Sequence, residues 1–424
     1  MRTLHRLAGI RGIQWYCAAT AVLASLLFTF VVFPAIADSN HVVLDPDWHG
    51  PLGYGIWKLH TFAYYPSAAP ASDRGPLYPA LIAALLALSG GWWPCCVQLA
   101  QCLAFGALCW LVFWMAQTLW SRPAAVLAAG LCALHPFLIW YTSRIWIETL
   151  MMLVFTALLA AVVNLKRAPG PVRAILVGIL LGLCVLAKSI YAPFILLTPL
   201  LLMLPLGRRV PPGLAALVLA ASLVVTVPWA ARNQVVAGQF APAVGRSGFT
   251  LHQGNDFIED FWRAPFSVSA LYPLSLARMR SEPTPDVDLG NRLLENNAHD
   301  AALGAIAMRK LIHSPGFLLE KVTANAFLFW TLGDSPVKSI VIGALQLPLA
   351  LLFVAALWIR RAQFLRGPAG VCAALVVLFY LAHLPTIALA RYSVVLVPAM
   401  LILVVGLLPR SPHAAVVETG VSSG

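Results

Sequence analysis

The sequence predicts an all-α, polytopic membrane protein with about ten transmembrane helices. Of its 424 residues, 60% are hydrophobic and only 10% are charged, whereas an average soluble domain is roughly 45–50% apolar and about 25% charged. The apolar residues form repeated runs that approach the ~20 residues needed to cross a bilayer. Lysine and arginine recur in pairs between these runs, as is typical of loops kept on the cytoplasmic side.

The basic excess and the cysteines fit this class. A net charge of +12 in a membrane protein reports its topology and its contacts with anionic membrane lipids. Since no basic stretch carries interleaved aromatic residues outside the membrane, nucleic acid is not an expected partner. The eight cysteines lie mostly in apolar runs and lack metal-ligand spacing. We expect them to be packing residues and expect no cofactor, with a need for a divalent metal left open.

The apolar runs place the spans in order along the chain. The first run follows Arg2, Arg6 and Arg11 and is longer than a signal-peptide core, which predicts an uncleaved span with a cytoplasmic N-terminus. Residues 76–89 are apolar but short, and we expect an interfacial or re-entrant helix there. The spans themselves are predicted at residues 15–36, 96–119, 124–141, 149–165, 174–187, 192–206, 214–229, 337–359, 369–388 and 394–408.

The same pattern divides the chain into four parts. These are an N-terminal transmembrane module, an extracytoplasmic region with interfacial helices, C-terminal transmembrane helices and a cytoplasmic tail, at residues 1–229, 230–335, 336–410 and 411–424. An amphipathic segment at residues 317–330 is expected to lie on the membrane surface. Both termini are therefore predicted to be cytoplasmic, in a multi-pass protein of the inner or plasma membrane.

Polar residues collect at the predicted outer surface. Asp45 and Asp47 lie two positions apart in the first outer loop, residues 37–75. Acidic residues at a membrane are costly without a function, although a solvated turn would explain this pair equally well on its own. The same face is predicted to carry Arg74, Arg144, Glu148, Lys188, Arg232, Asn233, Asn255, Arg391 and Tyr392. Arginine offers planar donors for phosphate, and aspartate can take a proton from a hydroxyl group.

Each of these residues also has a purely structural interpretation. Arg144 and Glu148 have the i, i+4 spacing of a pair on one helix. Lys188 and Arg391 can extend to lipid headgroups from helix ends. His49 lacks partners at zinc-ligand spacing, so metal binding is the less favoured interpretation of that residue.

The order of several motifs resembles the GT-C glycosyltransferases that use polyprenyl-phosphate sugars. The similarity covers residues 15–408 and is to the protein O-mannosyltransferase and lipid A aminoarabinose transferase type, like the bacterial glycosyltransferases of family 39. It lies in the order, spacing and common sidedness of the motifs rather than in any one of them. Besides an acid in the first outer loop, the motifs are Arg74–Pro79, Ser143–Glu148, Gly182–Lys188, Pro228–Asn233, Gly254–Asn255 and Arg391–Tyr392.

This resemblance implies a bundle of transmembrane helices whose extracytoplasmic loops carry the active site. It implies transfer of a sugar, with inversion, from a polyprenyl-phosphate-linked donor to an extracytoplasmic lipid, glycan or protein. Asp47 is the expected base and Glu148 a further catalytic residue. Asp45 is the alternative base, because Tyr54 follows Asp47 by seven positions rather than the family's four or so. The expected donor-binding residues are Arg74, Tyr78, Lys188, Arg232, Asn233, Asn255, Arg391 and Tyr392, with no metal ligands.

Two other classes of protein compete with this interpretation. A flippase or transporter of lipid-linked sugars would share the phosphate contacts but would need no base. The sequence contains no inverted repeat or pair of broken helices at midmembrane depth, which disfavours a transporter. A non-catalytic subunit of envelope glycan assembly would need neither the aspartate nor the Arg391–Tyr392 pair.

The charge pattern makes a prediction about topology. Cysteines introduced beside Asp73 and Asn255 should react with an impermeant maleimide added outside the cell, because both positions are assigned to the outer face. Cysteines beside Arg209 and Arg361 should react only after permeabilisation. Labelling of all four positions from one side would contradict the predicted arrangement.

Overall fold

The computed structural model describes residues 7–40, 44–244, 246–282 and 297–408, and these contain helices but no strand. The predicted all-α class is therefore confirmed. The helices, in order, are α1 Ile13–Leu27, α2 Phe33–Asn40, α3 His49–Lys58, α4 Leu77–Ser89, α5 Trp93–Leu119, α6 Arg122–Ala133, α7 Pro136–Thr142, α8 Glu148–Arg167, α9 Pro171–Ala187, α10 Phe194–Met203, α11 Pro212–Ala237, α12 Ser247–Glu259, α13 Val268–Ser281, α14 Asn297–His313, α15 Pro315–Thr331, α16 Pro336–Ile359, α17 Arg361–Arg366, α18 Ala369–His383, α19 Ala390–Ser393 and α20 Val397–Val404.

Six helical stretches of the described chain are long and apolar enough to cross a membrane. They are Ile13–Ala37, Leu77–Leu119, Glu148–Arg167, Pro212–Ala237, Pro336–Ile359 and Ala390–Leu407. Helices α6 and α7 pass the same test as one unit bent by 54°, which would make a seventh. Three shorter apolar helices follow at Pro171–Ala187, Ser189–Met203 and Ala369–His383. The protein is polytopic, and the number ten stays a prediction.

The stretch Leu77–Leu119 joins a predicted interfacial helix to a predicted span. Helix α4 continues through a short turn at Gly90–Trp92 into α5, giving 43 residues in all. At about 1.5 Å per residue this is roughly twice the ~30 Å thickness of a bilayer core. Helices α4 and α5 together are too long for one perpendicular crossing of the membrane, so α4 can lie along the membrane surface instead of crossing it.

Two stretches form the centre of the bundle. In α8 and in the stretch Ala390–Leu407, 78% of the residues in an apolar 18-residue segment are buried inside the protein. The corresponding share is 28% for α16 and 22% for Ile13–Ala37. The less buried helices present aliphatic side chains outward, as lipid-facing helices do. Glu148 and Arg391 lie at or beside the first residues of the two central stretches, and their side chains are in contact. The central helices therefore begin at the same end of the protein.

The region 230–335 is more helical than the sequence predicted. Interfacial helices were expected in this region, but only the amphipathic segment at residues 317–330, which lies within α15, was given bounds. The bounds of α12, α13 and α14 were not predicted. Ion pairs link these helices, with Arg278 contacting Glu259 and Asp260 and Lys310 contacting Glu259. Because partners far apart in sequence stabilise these helices, a weak local pattern was not sufficient to find them.

Candidate active site

A cavity of about 570 Å³ lies where the ends of several helices meet the segment that contains Asp47 and Arg74. Its apolar wall is formed by residues such as Ile147, Ile190 and Ile387. Its polar side chains include those of Asp47, His49, Asp73, Arg74, Lys188, Arg246, Arg391 and Tyr392. A concave site with a few convergent charged groups is the usual form of a ligand-binding site.

One half of the site is organised around Arg391. Its Nη2 atom donates to Asp47 Oδ2 at 2.5 Å and lies 3.0 Å from Glu148 Oε1, while its Nε atom donates to the same glutamate oxygen at 3.1 Å. Lys188 Nζ lies 3.5 Å from Glu148 Oε1. Two carboxylates and two cations from segments far apart in sequence therefore form one cluster.

Helix ends and aromatic rings hold this cluster in place. Glu148 is fully buried at the first residue of α8, where the helix dipole favours a negative charge. The Arg391 guanidinium lies 4.9 Å from the centre of the Trp146 ring, and Lys188 Nζ lies 4.3 Å from the Tyr392 ring. Such cation–π contacts fix the direction of both cations without neutralising them.

The charged neighbours also set the pKa values of the groups outside the spans. Burial by itself would raise the pKa of Asp47, but Arg391 and Arg74 outweigh it and hold this pKa well below its ordinary value. Burial lowers the pKa of Lys188 to about 8, although Glu148 opposes that shift. Asp47 is therefore ionised at neutral pH, and Lys188 titrates close to it.

The other half of the site contains Asp73, Arg74 and Arg246. Arg74 Nη2 donates to the backbone oxygen of Asp47 at 3.2 Å and lies 3.8 Å from its Oδ1 atom. Asp73 Oδ2 is 3.6 Å from Arg74 Nε and 3.8 Å from Arg246 Nη1. The hydroxyl group of Tyr64 donates to Asp73 at 2.9 to 3.0 Å. Asp47 thus lies between two groups of cations.

Backbone contacts explain why these loops meet. The N–H of Val244 donates to Ser72 O at 2.8 Å, and the Ser72 hydroxyl donates to Val244 O at 3.2 Å, so Arg74 and Arg246 are held side by side. A Cβ atom on Gly75 would come within 2.0 Å of Leu186 O at the end of α9. Only glycine permits this close approach between the outer loop and the residues beside Lys188.

The structure separates the roles of the two candidate bases. The Asp45 carboxylate accepts the backbone N–H groups of His49 at 3.0 Å and Gly50 at 2.7 Å, in the first turn of α3. It therefore binds donors that a helix start leaves without intrahelical partners. Asp45 is not among the residues that line the cavity, whereas Asp47 is. The geometry favours Asp47 for contact with a ligand.

Tyr78 lies behind the cavity rather than in its wall. It is fully buried, and its hydroxyl donates to Gln101 Oε1 at 2.7 Å. Gln101 Nε2 in turn donates to the backbone oxygens of Thr142 and Arg144, at 3.0 and 2.8 Å. The Tyr78 ring packs edge-on against His49, 5.0 Å between centres. Tyr78 supports the site without reaching a ligand.

Three further predicted residues also lie away from the cavity wall. Arg232 Nη1 donates to Ala71 O at 2.5 Å and to Asn233 Oδ1 at 3.0 Å, while Asn233 Nδ2 donates to Ala241 O at 2.8 Å. Asn255 accepts from Lys321 Nζ at 2.7 Å. These side chains form hydrogen bonds with the protein's own backbone and with its other side chains. Their assignment to the donor stays a prediction with no cavity contact to support it.

Sequence reasoning missed two cavity residues as functional candidates, Asp73 and Arg246. Asp73 was noted only as part of the outer loop, and Arg246 is a single arginine in a polar segment without periodicity. A detectable signal did exist for the supporting residues Gln98 and Gln101, which lie three positions apart in an otherwise apolar run and share one helix face. Within the described chain, no group of three His, Cys, Asp or Glu residues could hold a metal ion.

The role of Asp45 can be tested by stability. Asp45→Ala should lower the free energy of unfolding by about 0.5–2 kcal/mol, as loss of a carboxylate at a helix start does. Asp334→Ala is the matched control, because Asp334 forms an exposed pair with Lys338 and such pairs contribute little. Thermal unfolding of the purified protein should show a lower Tm for the Asp45 variant only. Equal Tm values would contradict this role.

Comparison with known proteins gives similarity in structure only. No family model matches the chain, and no curated protein matches it in sequence. The oligosaccharyltransferase of Archaeoglobus fulgidus in its apo form matches with a TM-score of 0.54 at 16% identity, over 92% of this chain and 50% of the other. The same organism's AglB in complex with an inhibitory peptide and a dolichol-phosphate matches with a TM-score of 0.54 at 13% identity, over 98% and 53%.

The chain thus spans about half the length of these oligosaccharyltransferases. ArnT from Cupriavidus metallidurans bound to undecaprenyl phosphate gives a TM-score of 0.39 at 13% identity, over 90% of this chain and 77% of the other, which is too low to carry an argument. The resemblance drawn from the sequence is confirmed at the level of fold: the chain shares the fold of about half of the archaeal oligosaccharyltransferase.

Proposed function

We propose that the protein is a membrane glycosyltransferase that transfers a sugar from a polyprenyl-phosphate-linked donor to an extracytoplasmic acceptor. The observation that carries this proposal is the pairing of Asp47 with Arg391 in the wall of a cavity that also contains Lys188. A base and two phosphate-binding cations then lie within a few ångströms of one another. A phosphosugar attacked by a hydroxyl group requires both kinds of residue.

The donor phosphate is assigned to Arg391 and Lys188. Both cations face the cavity, and the arginine offers a planar pair of donors that suits a phosphate oxygen pair. Glu148 contacts both cations, positions them and neutralises part of their charge. Tyr392 borders the same part of the cavity and packs against Lys188.

A second cavity offers a place for the polyprenyl chain. It has a volume of about 330 Å³ and is lined mainly by aromatic and aliphatic side chains of α7 and α16, including Phe137, Trp140 and Ile342. Arg391 lines this cavity as well as the polar one. A lipid chain in the apolar cavity would therefore hold its phosphate against Arg391.

The reaction is a single displacement. Asp47 takes the proton of the acceptor hydroxyl as its oxygen forms a bond to the anomeric carbon, and the bond from that carbon to the phosphate oxygen breaks. Polyprenyl phosphate leaves with the electron pair, stabilised by Arg391 and Lys188. Attack on the face opposite the leaving group inverts the anomeric configuration. Asp47 and Glu148 are already paired with cations of the protein, namely Arg391, Arg74 and Lys188, so these two carboxylates do not form a fitting metal site.

Donor binding would also strengthen the base. Arg391 contributes much of the electrostatic stabilisation that holds the pKa of Asp47 down. A phosphate group at Arg391 competes for the same guanidinium and adds negative charge beside Asp47, so it raises the affinity of Asp47 for a proton. The acceptor hydroxyl is then deprotonated only when the donor is in place.

The sidedness of the site follows from the charge pattern. The short loops that carry paired arginines, such as Arg208–Arg209 and Arg360–Arg361, are assigned to the cytoplasm. The cavity residues lie outside these loops in the sequence, which supports a site at the outer leaflet of the inner or plasma membrane, with both termini inside.

Replacement of the proposed base tests the reaction. Asp47→Asn keeps the side chain's size but removes its basicity, so transfer should fall by about 10²-fold or more while donor binding is kept. Asp45→Asn is the control and should retain most of the transfer activity. The measurement is release of polyprenyl phosphate by purified protein in lipid, given a polyprenyl-phosphate sugar and a candidate acceptor.

Two outcomes would contradict this assignment. An active Asp47→Asn variant with an inactive Asp45→Asn variant would make Asp45 the base. Movement of intact donor across the bilayer, with no release of polyprenyl phosphate and no effect of Asp47→Asn, would identify a flippase instead.

The pKa of Lys188 predicts a pH dependence of donor binding. Because this pKa is lowered to about 8, Lys188 is charged below pH 8 and loses its proton as the pH rises through that value. The affinity for undecaprenyl phosphate should therefore fall by up to about tenfold between pH 7 and 9. Lys188→Arg keeps its charge over this range and should bind with little pH dependence. An identical decrease in both proteins would rule out Lys188 as the titrating group.

A further inference from the structure

We infer that the polar cavity contains a second anion-binding subsite, formed by Arg246 and Arg74 with His49 beside it, and that this subsite binds a phosphate or carboxylate group of the acceptor. The assignment to an acceptor rests on the proposed function, whereas the existence of the anion subsite does not. The proposed reaction requires only one phosphate-binding site, the one for the donor. A second anion-binding site therefore indicates that the acceptor carries an anionic group.

The charged side chains in and beside the cavity form an alternating series. Seven ionisable side chains follow one another at contact distances between 2.5 and 3.8 Å, in the sequence Lys188, Glu148, Arg391, Asp47, Arg74, Asp73 and Arg246. Four cations alternate with three carboxylates, and a cation stands at each end. A donor phosphate at Lys188 and Arg391 leaves the opposite end of this series without an assigned ligand.

Arg246 is only weakly paired with the other residues that the structure describes. Among these its ion-pair partner is Asp73, with 3.8 Å between Nη1 and Oδ2, which is longer than a hydrogen bond. Both oxygens of Asp73 already accept from the Tyr64 hydroxyl. Among the described residues, the buried Nη1 atom of Arg246 and the buried Nε atom of Arg74 have no hydrogen-bond partner. Donors of this kind suit an anionic oxygen.

His49 gives an independent indication that a ligand binds here. Its side chain lines the cavity and is only 4% exposed, yet its Nδ1 atom has no hydrogen-bond partner within the described chain. Buried polar atoms of native proteins are nearly always hydrogen-bonded. Burial lowers the pKa of His49 to about 3, so the ring is neutral and offers one donor or one acceptor. It suits a hydroxyl group next to the anion.

The position of Asp47 assigns the subsite to the acceptor. Asp47 contacts Arg391 on one side and Arg74 on the other. In an in-line displacement the acceptor oxygen lies between the base and the anomeric carbon, on the side of that carbon opposite the donor phosphate. With the donor phosphate at Arg391, the acceptor must approach Asp47 from the side of Arg74 and Arg246. An anionic group on the acceptor would then be bound while its hydroxyl group reaches Asp47.

The test is arginine labelling of the full-length protein in lipid nanodiscs, with phenylglyoxal as reagent and peptide mass spectrometry as readout. Inorganic phosphate should slow the labelling of Arg246 several-fold, even with undecaprenyl phosphate present at saturation. Undecaprenyl phosphate alone should leave the labelling rate of Arg246 unchanged. Arg263, whose side chain is 67% exposed, is the internal control and should react equally fast under all conditions.

Direct binding measurements on two variants distinguish the anion subsite from the donor site. Arg246→Gln should weaken the binding of inorganic phosphate about tenfold, as loss of one charge-assisted contact does, and should leave the Kd for undecaprenyl phosphate unchanged. Arg263→Gln makes the same change in net charge and should alter neither affinity. Near-UV circular dichroism of both variants checks that they are folded.

Several results would overturn the inference. Protection of Arg246 by undecaprenyl phosphate alone would place this arginine in the donor site. Protection by undecaprenyl diphosphate but not by the monophosphate would assign the second anion to the donor as well. No protection by inorganic phosphate would mean that there is no anion subsite.

If phosphate binding depends on Arg246 but undecaprenyl phosphate does not bind at all, the anion subsite stands and the proposed function fails.

Discussion

The shared use of Arg391 by Asp47 and Glu148 is the interaction on which the site depends. It joins the segment around Asp47, the start of α8 and the short helix α19 at the start of the last apolar stretch, which are far apart in sequence. Glu148 is fully buried, and a buried carboxylate without its partner typically costs about 3–5 kcal/mol. The requirement to neutralise it therefore holds these three segments together.

The second constraint is that the polar backbone groups beside the site need hydrogen-bond partners, although this part of the backbone is not helical. The chain leaves helical geometry between α7 and α8, and the buried amides of Gln98 and Gln101 on α5 donate to the backbone oxygens of residues 142–144. In a membrane protein, irregular backbone persists only where such partners exist. Polar residues inside a long apolar helix thus serve a loop that would otherwise be unstable.

The sequence was informative where a charge interrupts an apolar run. Glu148, Lys188 and Arg391 were found in this way, since a charge at the end of a span is costly and easily recognised. Asp47 was preferred to Asp45 only through the resemblance, because the backbone turn that directs one to a helix start and the other to the cavity has no local signature. Arg246 lies in a polar segment where single arginines are common. Its neighbours were established only by tertiary contacts.

The contact between Gly75 and Leu186 has a consequence for the entropy of binding. Since the outer loop is seated directly on the end of α9, the separation between the residues around Arg74 and those around Lys188 is set when the protein folds. A ligand then meets a cavity whose two sides are already ordered, and little conformational freedom remains to be lost on binding. The fixed separation of the two sides also favours ligands whose charged groups lie at matching distances.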